Sequence, residues 1–120
     1  METNDSIVSR FCNAFKKMDA DELIAYFAED AVYHNIPMPE RRGRAEIYAA
    51  FKGLRGRFKG LEFETLHQVA VGNLVMNERI DHIVYEDRRL ALPIMGVFEL
   101  EGGLIRAWRD YFDLATLKNA

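Results

Sequence analysis

A chain of 120 residues and 13.9 kDa has room for one domain, 1–120, with a real core and a small pocket. Its 49% hydrophobic and 12% aromatic content excludes a disordered chain, and a net charge of −3 offers no global attraction to nucleic acid or an anionic membrane. The single cysteine, Cys12, excludes an internal disulfide framework. The opening METNDS shows no signal peptide, and no apolar run approaches the roughly 20 residues that span a bilayer. A soluble cytoplasmic protein is expected, with neither nucleic acid nor membrane as partner.

The first half reads helical. Ile7, Val8, Phe11, Phe15 and Met18 recur at helical spacing, with Asp5 as a cap. Asp19 followed by Glu22 resembles a capping box and leads into Leu23, Ile24 and Phe27. A short strand is predicted at about Ala31–Ile36, and Pro37 and Pro39 end it. Ile47, Tyr48, Phe51 and Leu54 mark a third helix after Gly43. The second half reads as strands over about 61–71, 74–86, 89–100 and 104–113. Turn-like stretches at Gly72-Asn73, Glu86-Asp87 and Gly102-Gly103 separate them. Helices first and a meander of strands afterwards predict an α+β fold, with helices packed on a curved antiparallel sheet.

Strand side chains alternate between two faces. On strand 74–86 one face carries Val75, Asn77, Arg79, Asp81 and Ile83, polar in its middle and apolar at its ends. On strand 104–113, Asp110 shares a face with Leu104, Trp108 and Phe112, so its carboxylate does not face bulk water. Tyr33 and Asn35 share a face of the short first strand. Arg79 and Asp81 would lie about 6–7 Å apart along their strand. Arginine has donors enough to bridge two carboxylates, and two nearby carboxylates resist ionising together. One acid and one base held across a small pocket can add water to a strained electrophile. A single buried Asp–Arg pair is ordinarily a structural ion pair. Five polar side chains buried together (Tyr33, Asn35, Arg79, Asp81, Asp110) are harder to explain that way.

At these residues the sequence resembles the limonene-1,2-epoxide hydrolase family, part of the cone-shaped α+β superfamily that includes nuclear transport factor 2 and the SnoaL-like cyclases. The resemblance rests on YHNIP at Tyr33–Pro37, NERID at Asn77–Asp81 and MGVFELEGGLIRAWRDYFD at Met95–Asp113. It implies a cone-shaped, curved, antiparallel (mixed) sheet with about three helices in its concave face. It also implies a cofactor-independent epoxide hydrolase that makes vicinal diols from small apolar or terpenoid epoxides. In that scheme Asp110 is the general base, Tyr33 and Asn35 hold the attacking water, Asp81 is the general acid and Arg79 bridges the two carboxylates. A single push–pull step with no covalent intermediate follows, and a homodimer on the outer sheet face is implied too. His34, between Tyr33 and Asn35, and the short tail LATLKNA depart from the pattern. By face parity Ile83, Leu92, Ile94, Trp108 and Phe112 are candidate pocket walls.

Other signals are weaker. Arg41, Arg42, Arg44, Lys52, Arg55, Arg57 and Lys59 form a basic stretch that reads as a solvated helix face, with Tyr48, Phe51 and Leu54 as a core stripe. His34, His67 and His82 have no metal-ligand spacing, so no metal is expected. Cys12 reads as a small buried hydrophobe, and Met38 and Met95 as flexible packing that could line a pocket. Two rival functions stay open: a SnoaL-like cyclase or ketosteroid-isomerase-like enzyme using Asp110 on a carbon acid, and a non-catalytic ligand-binding or dimerisation module.

Overall fold

The computed structural model describes residues 2–119. Thr3 caps the first helix, α1 (Asn4–Ala14), by accepting from the Ser6 N–H, so the cap lies two residues before the expected Asp5. A 3-10 turn follows, and Asp19 caps α2 (Ala20–Ile24) through the Asp21 and Glu22 N–H groups, as its sequence suggests. That helix stops early. Phe27, expected on its face, instead opens β1 (Phe27–Asn35), where it pairs with Ile105. Tertiary pairing overrides local periodicity here.

A two-residue strand, β2 (Arg41–Arg42), precedes α3 (Gly43–Lys52) and the single-turn α4 (Leu54–Arg57). Tyr48 is half-buried rather than core, because its hydroxyl reaches out to Asp21. The meander follows as β3 (Gly60–Val71), β4 (Leu74–Val84), β5 (Arg89–Glu101) and β6 (Leu104–Tyr111), and a short helix, α5 (Leu114–Asn119), comes after it. Both residues of the last hairpin turn, Gly102 and Gly103, have positive φ (59° and 81°), which the tight connection demands.

The six strands form one mixed sheet in the order β2-β1-β6-β5-β4-β3. The β1–β6 pair is parallel and the rest are antiparallel. The helices cover one face. Their apolar residues and the inward strand residues meet around Trp108, whose ring stacks on Tyr33 and Phe98 and takes Phe11 and Phe15 edge-on. On β4 the alternation matches the sequence reading: Val75, Asn77, Arg79, Asp81 and Ile83 are all buried.

On β6 the alternation breaks. Pairing shifts by one residue between Glu99–Ala107 and Leu100–Ile105, so a bulge turns Ile105 inward and leaves Leu104 exposed, against the expectation. A second bulge at Leu66 in β3 turns Gln68 towards Asn77.

Candidate active site

The polar residues on β4 face a row that runs across three more strands. Asn77 pairs with Gly96, Gly96 with Asp110, and Asp110 with Asn35. Arg79 lies one step along β4 from this row and is fully buried, at 0% exposed. A buried guanidinium must find an acceptor for nearly every N–H. Nε and Nη2 each donate to Asp81 at 3.0 Å, and Nη2 and Nη1 donate to Asp110 at 2.8 and 3.3 Å. Nη1 also donates to the Asn77 carbonyl at 3.0 Å. Phe63 lies 4.5 Å beneath the guanidinium carbon. Among the described residues, every buried side-chain N or O has a hydrogen-bond partner.

The two carboxylates are not equivalent. Asp110 receives a further donor, the Trp108 Nε1–H at 2.7 Å, so three N–H groups converge on it and complement a negative charge. Among the described residues, Asp81 has only its two bonds from Arg79. Burial pushes the Asp81 carboxyl up from its ordinary 3.8 to about 6; Arg79 opposes the rise and the neighbouring Asp110 charge adds to it. Burial would lower the Arg79 pKa, but Asp110 and Asp81 outweigh it and hold the guanidinium charged. Below about pH 6, where Asp81 keeps its proton, two carboxylates and one guanidinium leave the buried cluster neutral overall.

Tyr33 and Asn35 sit across from the carboxylates. The Asn35 amide donates to the Tyr33 hydroxyl at 3.1 Å, and burial raises the pKa of that phenol, so it stays protonated. His34 points away from them, with Nε2 at 2.9 Å from the Met38 carbonyl. Both carboxylates, Tyr33 and Asn35 open onto an inner cavity of about 110 Å³. Ile83, Leu92, Ile94, Phe112 and Leu117 are among its apolar walls. A wider outer cavity of about 400 Å³ shares Phe15, Tyr33, Asn35, Met38, Leu54 and Arg57 with it. The two form one funnel with the two carboxylates at its narrow end.

The sequence profile described as the limonene-1,2-epoxide hydrolase catalytic domain matches residues 2–120. The chain belongs to the limonene-1,2-epoxide hydrolase family. It is 34% identical over 108 residues to epoxide hydrolase EphG of Mycobacterium tuberculosis, which covers 89% of this chain and 71% of that protein. The solved structure of an M. tuberculosis limonene-epoxide-hydrolase-like epoxide hydrolase superposes with a TM-score of 0.86 at 31% identity, over 97% of this chain and 86% of the other. A SnoaL-like polyketide cyclase described as putative, from Shewanella putrefaciens, superposes with a TM-score of 0.86 at 15% identity, over 99% and 96% of the two chains. At that identity the likeness shows the fold alone.

Within this limonene-1,2-epoxide hydrolase family member, the five polar residues singled out from sequence lie together. Four of the five expected apolar walls line the inner cavity. Trp108 does not. It lies behind Tyr33, 0% exposed, and its indole N–H serves Asp110. The tail also contributes more than its length suggests, since Leu117 lines the inner cavity. Met38 lines the funnel, whereas Met95 is 44% exposed on the outer face.

Sequence reasoning missed the part played by Asn77, which anchors Nη1 of Arg79 and donates to Gln68 at 3.1 Å. It also missed Gly96. A Cβ there would lie 2.5 Å from Arg79 Nη1, 2.7 Å from Asn77 Oδ1 and 3.0 Å from Asp110 Oδ1. The glycine is the gap through which Arg79 crosses a strand to reach Asp110. A glycine in the middle of a strand signals such an approach. Cys12 is a buried thiol whose pKa burial pushes up to about 12, in keeping with its reading as a small hydrophobe.

Proposed function

We propose that this chain adds water to a small apolar or terpenoid epoxide in a single step, giving a vicinal diol, without a metal, cofactor or covalent enzyme intermediate. The observation that carries the reading is the unequal pair of carboxylates on one buried arginine, open to an apolar cavity. Tyr33 and Asn35 hold a water beside Asp110. Asp110 takes one proton from that water as its oxygen attacks an oxirane carbon. The C–O bond breaks, and its oxygen takes the proton carried by Asp81.

Turnover moves the proton from Asp81 to Asp110, so the cluster stays neutral throughout and no charge is created in a dry site. Exchange with solvent restores the starting state. Ring strain supplies driving force, so positioning and proton transfer suffice. Arg79 also weighs against carbon-acid chemistry, because a guanidinium clamped on both carboxylates suits an acid–base pair better than a lone base.

The test is diol formation from limonene oxide, cyclohexene oxide and styrene oxide by wild type beside Asp110→Asn. The expected result is turnover that falls by about 10²–10⁴-fold in the variant, the usual worth of a general base. Equal activity in the two proteins would overturn the assignment.

The same reading includes a homodimer across the outer sheet face. Val69 and Met95 are 62% and 44% exposed there and share a shallow groove with Met76, and Tyr111 pairs beside Met95. Sedimentation of wild type and Met95→Glu tests it: a dimer that dissociates in the variant is expected, and a wild-type monomer refutes it.

A further inference from the structure

The basic stretch at 41–59 stands out in a chain of net charge −3. The structure shows what most of it does. Arg42 pairs with Glu40, and Lys59 with Glu86 at 2.9 Å. Arg44 donates to the Ile24 carbonyl at 3.3 Å and lies 3.9 Å from Glu29. Arg55 donates to the Lys17 carbonyl at 2.9 Å, and Lys52 lies over the Tyr48 ring. Arg41 and Arg57 have neither a carboxylate nor a carbonyl partner among the described residues, although Arg57 lies 5.1 Å from the Phe58 ring centroid, and both line the outer cavity.

Their placement is specific. Arg41 is the register partner of Tyr33 across the β1–β2 pair, and paired residues share a face of the sheet. Arg57 ends α4 and borders both the inner and the outer cavity. Of the carboxylates at the same mouth, one is paired with a cation and the other accepts only a backbone N–H. Glu40 pairs with Arg42, and Glu46 accepts the Arg42 backbone N–H at 2.9 Å beside the start of α3. Between the two arginines and the carboxylate pair the walls are apolar, with Phe51, Leu54, Met38 and Ala50. The funnel therefore presents two buried carboxylates at its inner end, an apolar middle, and at its rim two arginines without a carboxylate partner against one carboxylate, Glu46, without a cationic one.

We propose that Arg41 and Arg57 form an anion-recognition site at the mouth, and that the preferred substrates are epoxides with a carboxylate on a flexible apolar tail. This rests on the epoxide reading above and names its substrate class. The oxirane would enter the inner cavity while the tail fills the outer one. The guanidinium groups would take the carboxylate, a geometry to which arginine is well suited.

The experiment compares a medium-chain ω-epoxy carboxylate with the primary amide of the same acid, on wild type and on the Arg41→Gln/Arg57→Gln double variant. In wild type, kcat/KM for the carboxylate should exceed that for the amide by roughly tenfold or more, the worth of one charged hydrogen bond. Added salt should shrink the ratio. In the double variant the ratio should fall to about one as that term is lost. A wild-type ratio near one, or a preference that survives in the double variant, overturns the proposal.

Should no epoxide be turned over, the chemistry fails but the mouth is still tested. Calorimetric titration then uses the saturated carboxylate and amide of the same length. Tighter carboxylate binding that disappears in the double variant upholds the anion site, and equal binding of the two overturns it.

Discussion

Replacing Gly96 by alanine adds one methyl group at the most crowded point of the site. That carbon would meet Arg79 Nη1 at 2.5 Å, about 1 Å inside ordinary van der Waals contact. A flexible side-chain end could normally swing aside, but this one is locked. Nε, Nη1 and Nη2 are all engaged by Asp81, Asn77 and Asp110, and Phe63 lies beneath the plane. Moving the guanidinium breaks its contact with Asp110 and leaves a buried carboxylate short of its partner. Separating a buried ion pair costs about 3–5 kcal/mol, a large part of the 5–15 kcal/mol that holds a typical domain together.

Turnover should fall by about 10²-fold or more, because bridge and base are displaced together. Urea unfolding and diol formation measured on the same preparations give both numbers. Gly56→Ala is the control: nothing lies within 4 Å of its added Cβ, and the helical position should gain about 0.5–1 kcal/mol. A Gly96→Ala protein within about 0.5 kcal/mol of wild type, with unimpaired turnover, would refute the idea that Arg79 needs this gap.

Other outcomes follow from the same cluster. Because Asp81 must carry a proton to act as the acid, kcat/KM should decline as pH rises through about 6, and an activity rising through that range would reverse the acid and base roles. The same carboxyl titrates near 3.8 when unfolded and about 6 when folded, so between these values the folded state binds more protons. Stability should therefore be greater below that window and fall by up to about 3 kcal/mol as pH rises through it, a dependence that unfolding curves should find missing in Asp81→Asn. Asp81→Asn should also lose nearly all diol formation while staying folded. Trp108→Phe removes one donor to Asp110 and leaves a void, so calorimetric melting should show a loss of about 1–3 kcal/mol together with reduced kcat.

The inward face of β4 is legible in the sequence because strict alternation runs unbroken through it. Ile83, Leu92 and Ile94 could be placed for the same reason. Alternation fails at the bulges. Nothing in LIRAW announces that Ile105 and Trp108 face the same way, and parity alone points Leu104 inward. At Phe27 helical spacing and strand pairing compete for the same apolar residue, and only the partner strand decides. The roles of Asn77 and Gly96 depend on which strands are neighbours, and local patterns do not carry that information. Parity makes Trp108 a pocket wall, whereas its indole N–H finds Asp110 only through a particular rotamer that no sequence pattern carries.

Trp108 has one more consequence. It is the chain's single tryptophan, and it stacks on Tyr33, covers Phe98 and hydrogen-bonds to Asp110. The protein thus carries a built-in optical reporter wired to Asp110. Ligand entry, proton movement between the carboxylates and loss of the aromatic stack should each alter its emission, with no label attached. Every step of a titration or a refolding experiment can be followed from inside the site itself.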